Sequence, residues 1–356
     1  MTAIGEGERQ RRLGNLLIHL TAIGAVAVIA LAFLLVSGYD VSQSVAALWR
    51  GAFGSVDALV SSTLVRAVPL ILLGVGIALA FRVGVFNVGG DGQFLAGAAL
   101  GAWAALHSAQ LPGVGTIIIA LIAGAIGGAF WALLPALLRR HWGVFEVLST
   151  LMMNFVATYA VSYLVRGPLQ EPTHIYPQSA TIPSGAHLPI VIAGSRLHAG
   201  FFISIACAFV AWVWLSFREG GLRARLTGAN PIAAASAGGI DTGVLTFRVF
   251  IVSAALCGMA GAVEVLGVTF ALYENLSPGY GFTAIAVALL AGLHPLGVVA
   301  SAVLLAALDA GAATMQREAG VPSVAAWVIQ ALLVLAVLTA RALADRGAGA
   351  LRFARS

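Results

Sequence analysis

The densest group of hydrogen-bonding side chains lies in Phe81–Gln93, F-R-V-G-V-F-N-V-G-G-D-G-Q, within an otherwise apolar stretch. Asn87, Asp91 and Gln93 supply donors and acceptors there. Gly84, Gly89, Gly90 and Gly92 allow unusual backbone dihedrals and close approach, and a positive φ is expected at Gly89 or Gly90. Two kinds of chemistry suit such a segment. One is satisfying the backbone of a non-helical turn, which at membrane depth must be buried in protein or line water. Gly89, Gly90 and Asp91 are assigned to that structural turn. The other is hydrogen bonding to a polar solute, for which Asn87, Gln93, Asn154 and Glu264 are path candidates. Glu146 lies eight residues before Asn154, near the same helix face, and suits either a helix N-terminal charge or a functional group. No two carboxylates have the spacing of an acid/base pair, so no catalytic residue is assigned. His174, His187 and His198 lack ligand spacing and read as solvated, so no metal site is assigned.

A second polar stretch, Arg218–Thr242, carries a short helix with both boundaries written out. Asn230 is an N-cap whose side chain can accept from free N–H groups of the first turn. Pro231 follows at the first helical position, and Gly238-Gly239 supply the left-handed stop. Arg218, Arg223 and Arg225 precede it. Two readings stand side by side: an exposed loop that happens to be helical, and a docking knob for a soluble partner.

The elements that hold these groups must be membrane helices. The hydrophobic fraction is 60% and charged residues are 9%; mean hydropathy is +0.98. Soluble domains usually carry about 25% charged residues. Glycine is frequent at 42, as where transmembrane helices pack closely. All 19 basic residues are arginine. Without lysine the chain has no ordinary P-loop and no Schiff base. Cys207 and Cys257 sit in apolar runs and read as small buried hydrophobes.

Apolar runs long enough to span, or nearly so, fall near 14–36, 60–80, 93–108, 113–138, 145–165, 199–217, 246–268, 281–293, 296–314 and 324–342. The third and eighth are short, as discontinuous helices lining a pathway often are. The fold class is therefore an all-α polytopic membrane protein of about ten transmembrane helices, as one domain over 1–356 with its membrane region at 13–342. With the N-terminus inside, 14 arginines fall inside, including Arg9, Arg11, Arg12, Arg82, Arg139 and Arg140. Five fall outside, Arg50, Arg66, Arg166, Arg196 and Arg317. The positive-inside rule then puts both termini, the 218–243 loop and the 343–356 tail in the cytoplasm. Val45, Leu48, Trp49 and Phe53 recur at helical spacing and predict a helix along the interface. Residues 167–198 form the main external loop, extended by five of the 12 prolines.

Several stretches together resemble a known family. They are L-A-F-R-V-G-V-F-N-V-G-G-D-G-Q (79–93), E-V-L-S-T-L-M-M-N-F (146–155), Y-L-V-R-G-P-L (163–169), S-R-L-H-A-G (195–200), G-L-R-A-R-L-T-G-A-N-P-I-A-A (221–234), A-G-A-V-E-V-L-G (260–267) and G-F-T-A-I-A-V-A-L-L-A (281–291). The chain resembles inner-membrane permease subunits of bacterial ABC importers in the branched-chain amino acid/ribose superfamily, closest to the nucleoside and simple-sugar branch. It departs at Gly90-Asp91, where that pattern has a small residue then Glu.

The resemblance implies a transport subunit rather than an enzyme, working by alternating access in the bacterial cytoplasmic (inner) membrane. It implies an ABC ATPase subunit, a second related permease, an external solute-binding (lipo)protein and a small-molecule solute. Membrane lipid surrounds it; nucleic acid has no part. No cofactor is expected on this chain, since ATP is used by the partner ATPase. It makes Gly221–Gly239 the coupling segment, with Arg223, Gly228, Asn230, Pro231, Ala234, Ala235 and Gly238 as coupling residues. The alternative is a secondary transporter driven by an ion gradient, with Glu146 or Glu264 as coupling carboxylate; a scaffold or channel-like protein is a third class.

Overall fold

The structure, a computed structural model, describes residues 21–340 apart from 22, 23, 109, 326, 333 and 338. The predicted helix start at 14, the basic Arg9–Arg12 tail and the 343–356 tail lie outside the described residues. The described residues are helical and contain no strand, only isolated bridges such as Gln170 to Ser179 and Gln178 to Tyr273.

The helices are α1 (Gly24–Val36), α2 (Val41–Phe53), α3 (Val65–Arg82, preceded by a π-helical stretch Ala58–Leu64) and α4 (Gly90–His107). Then come α5 (Gly113–Trp142), α6 (Glu146–Arg166), α7 (Gly200–Phe217), α8 (Glu219–Ala229) and α9 (Pro231–Gly238). The rest are α10 (Thr242–Glu264, continued by a π-helical Val265–Thr269), α11 (Tyr280–Leu290), α12 (Pro295–Ala319) and α13 (Trp327–Val337). Among the described residues, six helices are long and apolar enough to cross a membrane: the one ending in α3, and α5, α6, α7, α10 and α12. α4 is long enough, but Asp91, Gln93 and His107 lower its hydropathy. α1, α11 and α13 are apolar and short.

The chain divides into two compact units, Met1–Leu59 with Ala307–Ser356, and Val60–Ala306. In the first, Leu34, Ala47, Met315, Val321 and Ala325 form a small core. Asp40 caps α2 by accepting from the Gln43 amide. Val45, Trp49 and Phe53 stay exposed, so the predicted amphipathic helix is present.

The second unit is held by backbone contact. A Cβ on Gly97 of α4 would lie 2.2 Å from Gly258 Cα of α10. One on Gly258 would lie 2.2 Å from the Gly124 carbonyl of α5, and one on Gly128 would lie 2.2 Å from the Ala254 carbonyl. Small residues let membrane helices approach until their backbones touch. The 167–198 loop closes over the end of α10: the Ser179, Ile182 and Leu188 amides donate to the Leu272, Phe270 and Leu266 carbonyls. That cover corrects one expectation. His198 is 1% exposed rather than solvated, packed over Gly200 and Gly267.

Candidate functional site

The predicted turn at 81–93 is the connector between α3 and α4. Its non-helical part is Val83–Gly89, and Gly90 and Asp91 open α4. The expected positive φ is not at Gly89, where φ is −83°, nor at Gly90, but at Gly84, at +79°. Close packing constrains Gly89 instead: an added Cβ would lie 3.0 Å from the Thr150 side chain.

Side chains satisfy this buried connector. Asn87 and Gln93 bond reciprocally, Nδ2 to Oε1 at 2.9 Å and Nε2 to Oδ1 at 3.0 Å. Asn87 also donates to Ser253 Oγ at 3.0 Å and accepts from the Gly89 amide at 3.1 Å. Asn154 of α6 accepts from the Gly92 amide at 2.8 Å and donates to the Val88 carbonyl at 3.0 Å. Glu146 accepts from the Phe86 amide and pairs with Arg139 at 2.7 Å. Arg139 also donates to the Gly84 carbonyl. Asp91 turns the other way, accepting from Ser277 Oγ at 2.6 Å and the Gly281 amide at 3.0 Å, and so fixes the start of α11.

Asn87, Gln93, Asn154 and Glu146 thus gather at one junction of α3, α4, α6 and α10. Asn87 and Gln93 are fully buried, and their amides are engaged within the chain. Glu146, one of the two carboxylates an ion-coupled transporter would use, is committed to Arg139 and a backbone amide. Glu264 stands apart at the end of α10, buried, with Arg196 and Arg66 as its nearby cations. Burial pushes the His198 imidazole down to about 4, so the ring is neutral; its Nδ1 accepts from the Gly200 amide and its Nε2 has no partner among the described residues. Sequence reasoning missed Ser253, Ser277 and the Arg166–Glu274 pair at 2.6 Å. Only a lone hydroxyl in an apolar run marked Ser253.

Asn154→Leu would leave the Gly92 amide and the Val88 carbonyl buried and unpaired. Each orphaned group costs about 1–3 kcal/mol. We expect Asn154→Leu to lower the thermal midpoint of the purified protein by several degrees in a detergent melt. An unchanged midpoint would show that the connector does not depend on this side chain.

The second site is the polar stretch after α7. α8 carries an Arg223–Glu219 pair at 2.5 Å. Asn230 caps α9 by accepting from the Ala233 amide at 3.0 Å, Pro231 is its first residue, and Gly239 closes it at φ +57°. α9 turns its faces differently. Ala234 is 6% exposed and packs inward, whereas Ile232 is 80% exposed and Ala233, Ala235 and Ser236 lie open beside it. The base of the knob is braced, since a Cβ on Gly228 would lie 1.8 Å from the Arg82 carbonyl. The last residue of α3 therefore rests on the end of α8, and the polar connector begins at the next residue.

Comparisons with known proteins show the family of the chain. A family model described as branched-chain amino acid transport system / permease component matches residues 59–338. The chain is 36% identical over 328 residues to the glucose ABC transporter permease protein TsgB13 of Haloferax volcanii, covering 89% of this chain and 84% of that protein. It is 35% identical over 338 residues to the guanosine ABC transporter permease protein NupP of Bacillus subtilis, covering 94% and 96%. It is 28% identical over 321 residues to the nucleoside ABC transporter permease protein NupB of Lactococcus lactis subsp. cremoris, covering 88% and 86%.

Proposed function

Because the chain belongs to the branched-chain amino acid transport system permease component family, we propose that this multi-pass membrane permease forms half of an importer's pore for a nucleoside or simple sugar. The names of its relatives support that solute class. The other half is a second, related permease. An external binding protein delivers solute to the outer face, and ATP is bound and hydrolysed by a partner ATPase, with no cofactor on this chain. The membrane is the cytoplasmic membrane. Ten spans place both termini and the α8–α9 segment on its inner side.

One observation carries the coupling role. α9 is capped at both ends, exposes Ile232, and stands on α8, whose Gly228 touches the end of α3. A partner that pushes α9 therefore pushes Arg82, and through Val83–Gly89 it loads the Asn87–Gln93–Asn154 junction between α4 and α6. Arg223, paired to Glu219, stiffens α8. Alternating access then needs only that this junction have two packings, biased by the ATPase.

The test is uptake of labelled guanosine and labelled glucose into vesicles holding the complete complex. Uptake of one of them should require ATP and stop when the ATPase is removed. Uptake that survives ATPase removal and collapses with an uncoupler would overturn the reading. Topology is checked separately: reporter fusions after Arg140 and at Gly185 should report opposite sides, with Arg140 inside. The same side for both would remove the cytoplasmic placement of α9.

A further inference from the structure

Among the six long apolar helices, α6 is the least apolar, with mean hydropathy 1.4 over its most apolar 18 residues against 2.0 to 2.4 for the others. It is also the least covered, with 22% of that window buried in the chain. A helix that meets lipid tails pairs low coverage with high hydropathy, as α5 does at 28% and 2.4. On α6 the lower value comes from several faces: Ser149, Thr150, Asn154, Thr158 and Ser162 at covered or half-covered positions, and Tyr159 and Tyr163 on the open face.

The face itself says what it meets. Thr150, Asn154, Ala157, Val161 and Val165 are buried on one side. Opposite them, Leu148, Met152, Phe155, Tyr159 and Tyr163 form a continuous exposed stripe. Tyr159 is 73% exposed and Tyr163 is 72% exposed, and neither phenol finds a hydrogen-bond partner among the described residues. Tyr163 lies one turn from Arg166, where tyrosines commonly meet a membrane surface. Tyr159 does not: it sits about 10 Å in from Arg166 and about 20 Å from Glu146, at a depth where a bare hydroxyl facing hydrocarbon is disfavoured. The nearest charged groups lie toward the Arg166 end, where Arg166 pairs with Glu274 and the Ser162 hydroxyl donates to the same carboxylate. Leu148, Met152 and Phe155 make the inner part of the stripe apolar.

We propose that Tyr159 and Tyr163 line the outer half of the solute path and bind the solute by its ring. A tyrosine offers a flat face for a nucleobase, or for the C–H face of a sugar, and a hydroxyl for a polar substituent. Leu148–Phe155 closes the path beneath them. This rests on the transport reading above and assigns its solute contact to the open face of α6 rather than to the buried Asn87 and Gln93.

The experiment uses the complete complex in vesicles, in a Cys207→Ala/Cys257→Ala background. Tyr159→Cys and Ile126→Cys, the latter on the exposed face of α5, are treated with a membrane-impermeant cationic thiosulfonate. Tyr159→Cys should react at least 10-fold faster than Ile126→Cys, and saturating solute should slow it several-fold. Equal rates would overturn the proposal, placing Tyr159 against lipid or sealed in a permease–permease contact. Fast reaction without protection by solute would overturn the binding role. Tyr159→Phe, which keeps the ring, should raise KM for uptake about 3- to 10-fold without lowering the yield of complex; an unchanged KM would remove the hydroxyl from solute recognition. ATP-driven uptake of guanosine or glucose by the wild-type complex tests the transport reading on its own, because the rate ratio of the two cysteines does not depend on it.

Discussion

Gly258→Leu is expected to yield no monodisperse protein, and Gly258→Ala to lower the thermal midpoint by many degrees. The first Cβ at this position would lie 2.2 Å from the Gly124 carbonyl and 2.6 Å from the Gly128 amide. Both are backbone atoms inside α5, so no rotamer change relieves the clash. The helices must separate, and every contact along that seam loosens with them. Overpacking usually costs about 1–3 kcal/mol when side chains can adjust. Here only backbones can, so the alanine alone is expected to exceed about 3 kcal/mol, the range reserved for core failures. Gly115→Ala is the matched control: it lies in the same α5, and its nearest neighbour would be 3.8 Å away. Size-exclusion profiles and detergent melts of the three variants decide the matter. A wild-type midpoint for Gly258→Ala would mean that the three-helix seam is not as tight as described.

The second expected result is functional. Ala235→Glu should leave expression and membrane insertion unchanged, and should abolish co-purification of the ATPase together with uptake. Ala235 is exposed beside Ile232, so a glutamate there harms nothing in the free chain. Seated in a partner's groove, it becomes an unpaired buried charge, a penalty of about 3–5 kcal/mol and thus a loss of roughly two to three and a half orders of magnitude in affinity. Ala234 is the wrong place for this test, because it is buried against the chain itself and its glutamate variant would disturb the fold. If Ala235→Glu and Ile232→Asp both retain the ATPase and support normal uptake, α9 is not the coupling element.

What was legible in the sequence was local. Asn230-Pro231 and Gly238-Gly239 named the ends of α9 to the residue, because caps act within one turn. The helix limits near 113, 146 and 200 were legible for the same reason, from proline, glycine and charge at the ends of apolar runs. Contacts between distant segments were not. Asp91 has its partners at Ser277 and Gly281, and Asn87 has one at Ser253, far along the chain. His198 looked solvated because it ends a proline-rich loop and lacks ligand spacing; its burial on Gly267 is a tertiary event. The positive φ fell on Gly84 rather than Gly89 or Gly90 because a run of glycines tells which residues are permissive without saying which one turns. Tyr159 carried a signal all along, a phenol deep in a spanning run, which only coverage by the other helices made readable.

The glycine seam also sets an order on biogenesis. Gly97, Gly124 and Gly128 leave the ribosome together on α4 and α5, whereas Gly258 follows about 130 residues after Gly128. At about 5–20 residues per second that is a wait of roughly 7–26 s. During it, the α4–α5 pair sits in the bilayer with a bare backbone groove, and α6 and α7 are inserted before the helix that fills it. Any chain truncated before α10 lacks the helix that fills that groove and leaves the backbones of α4 and α5 without their partner.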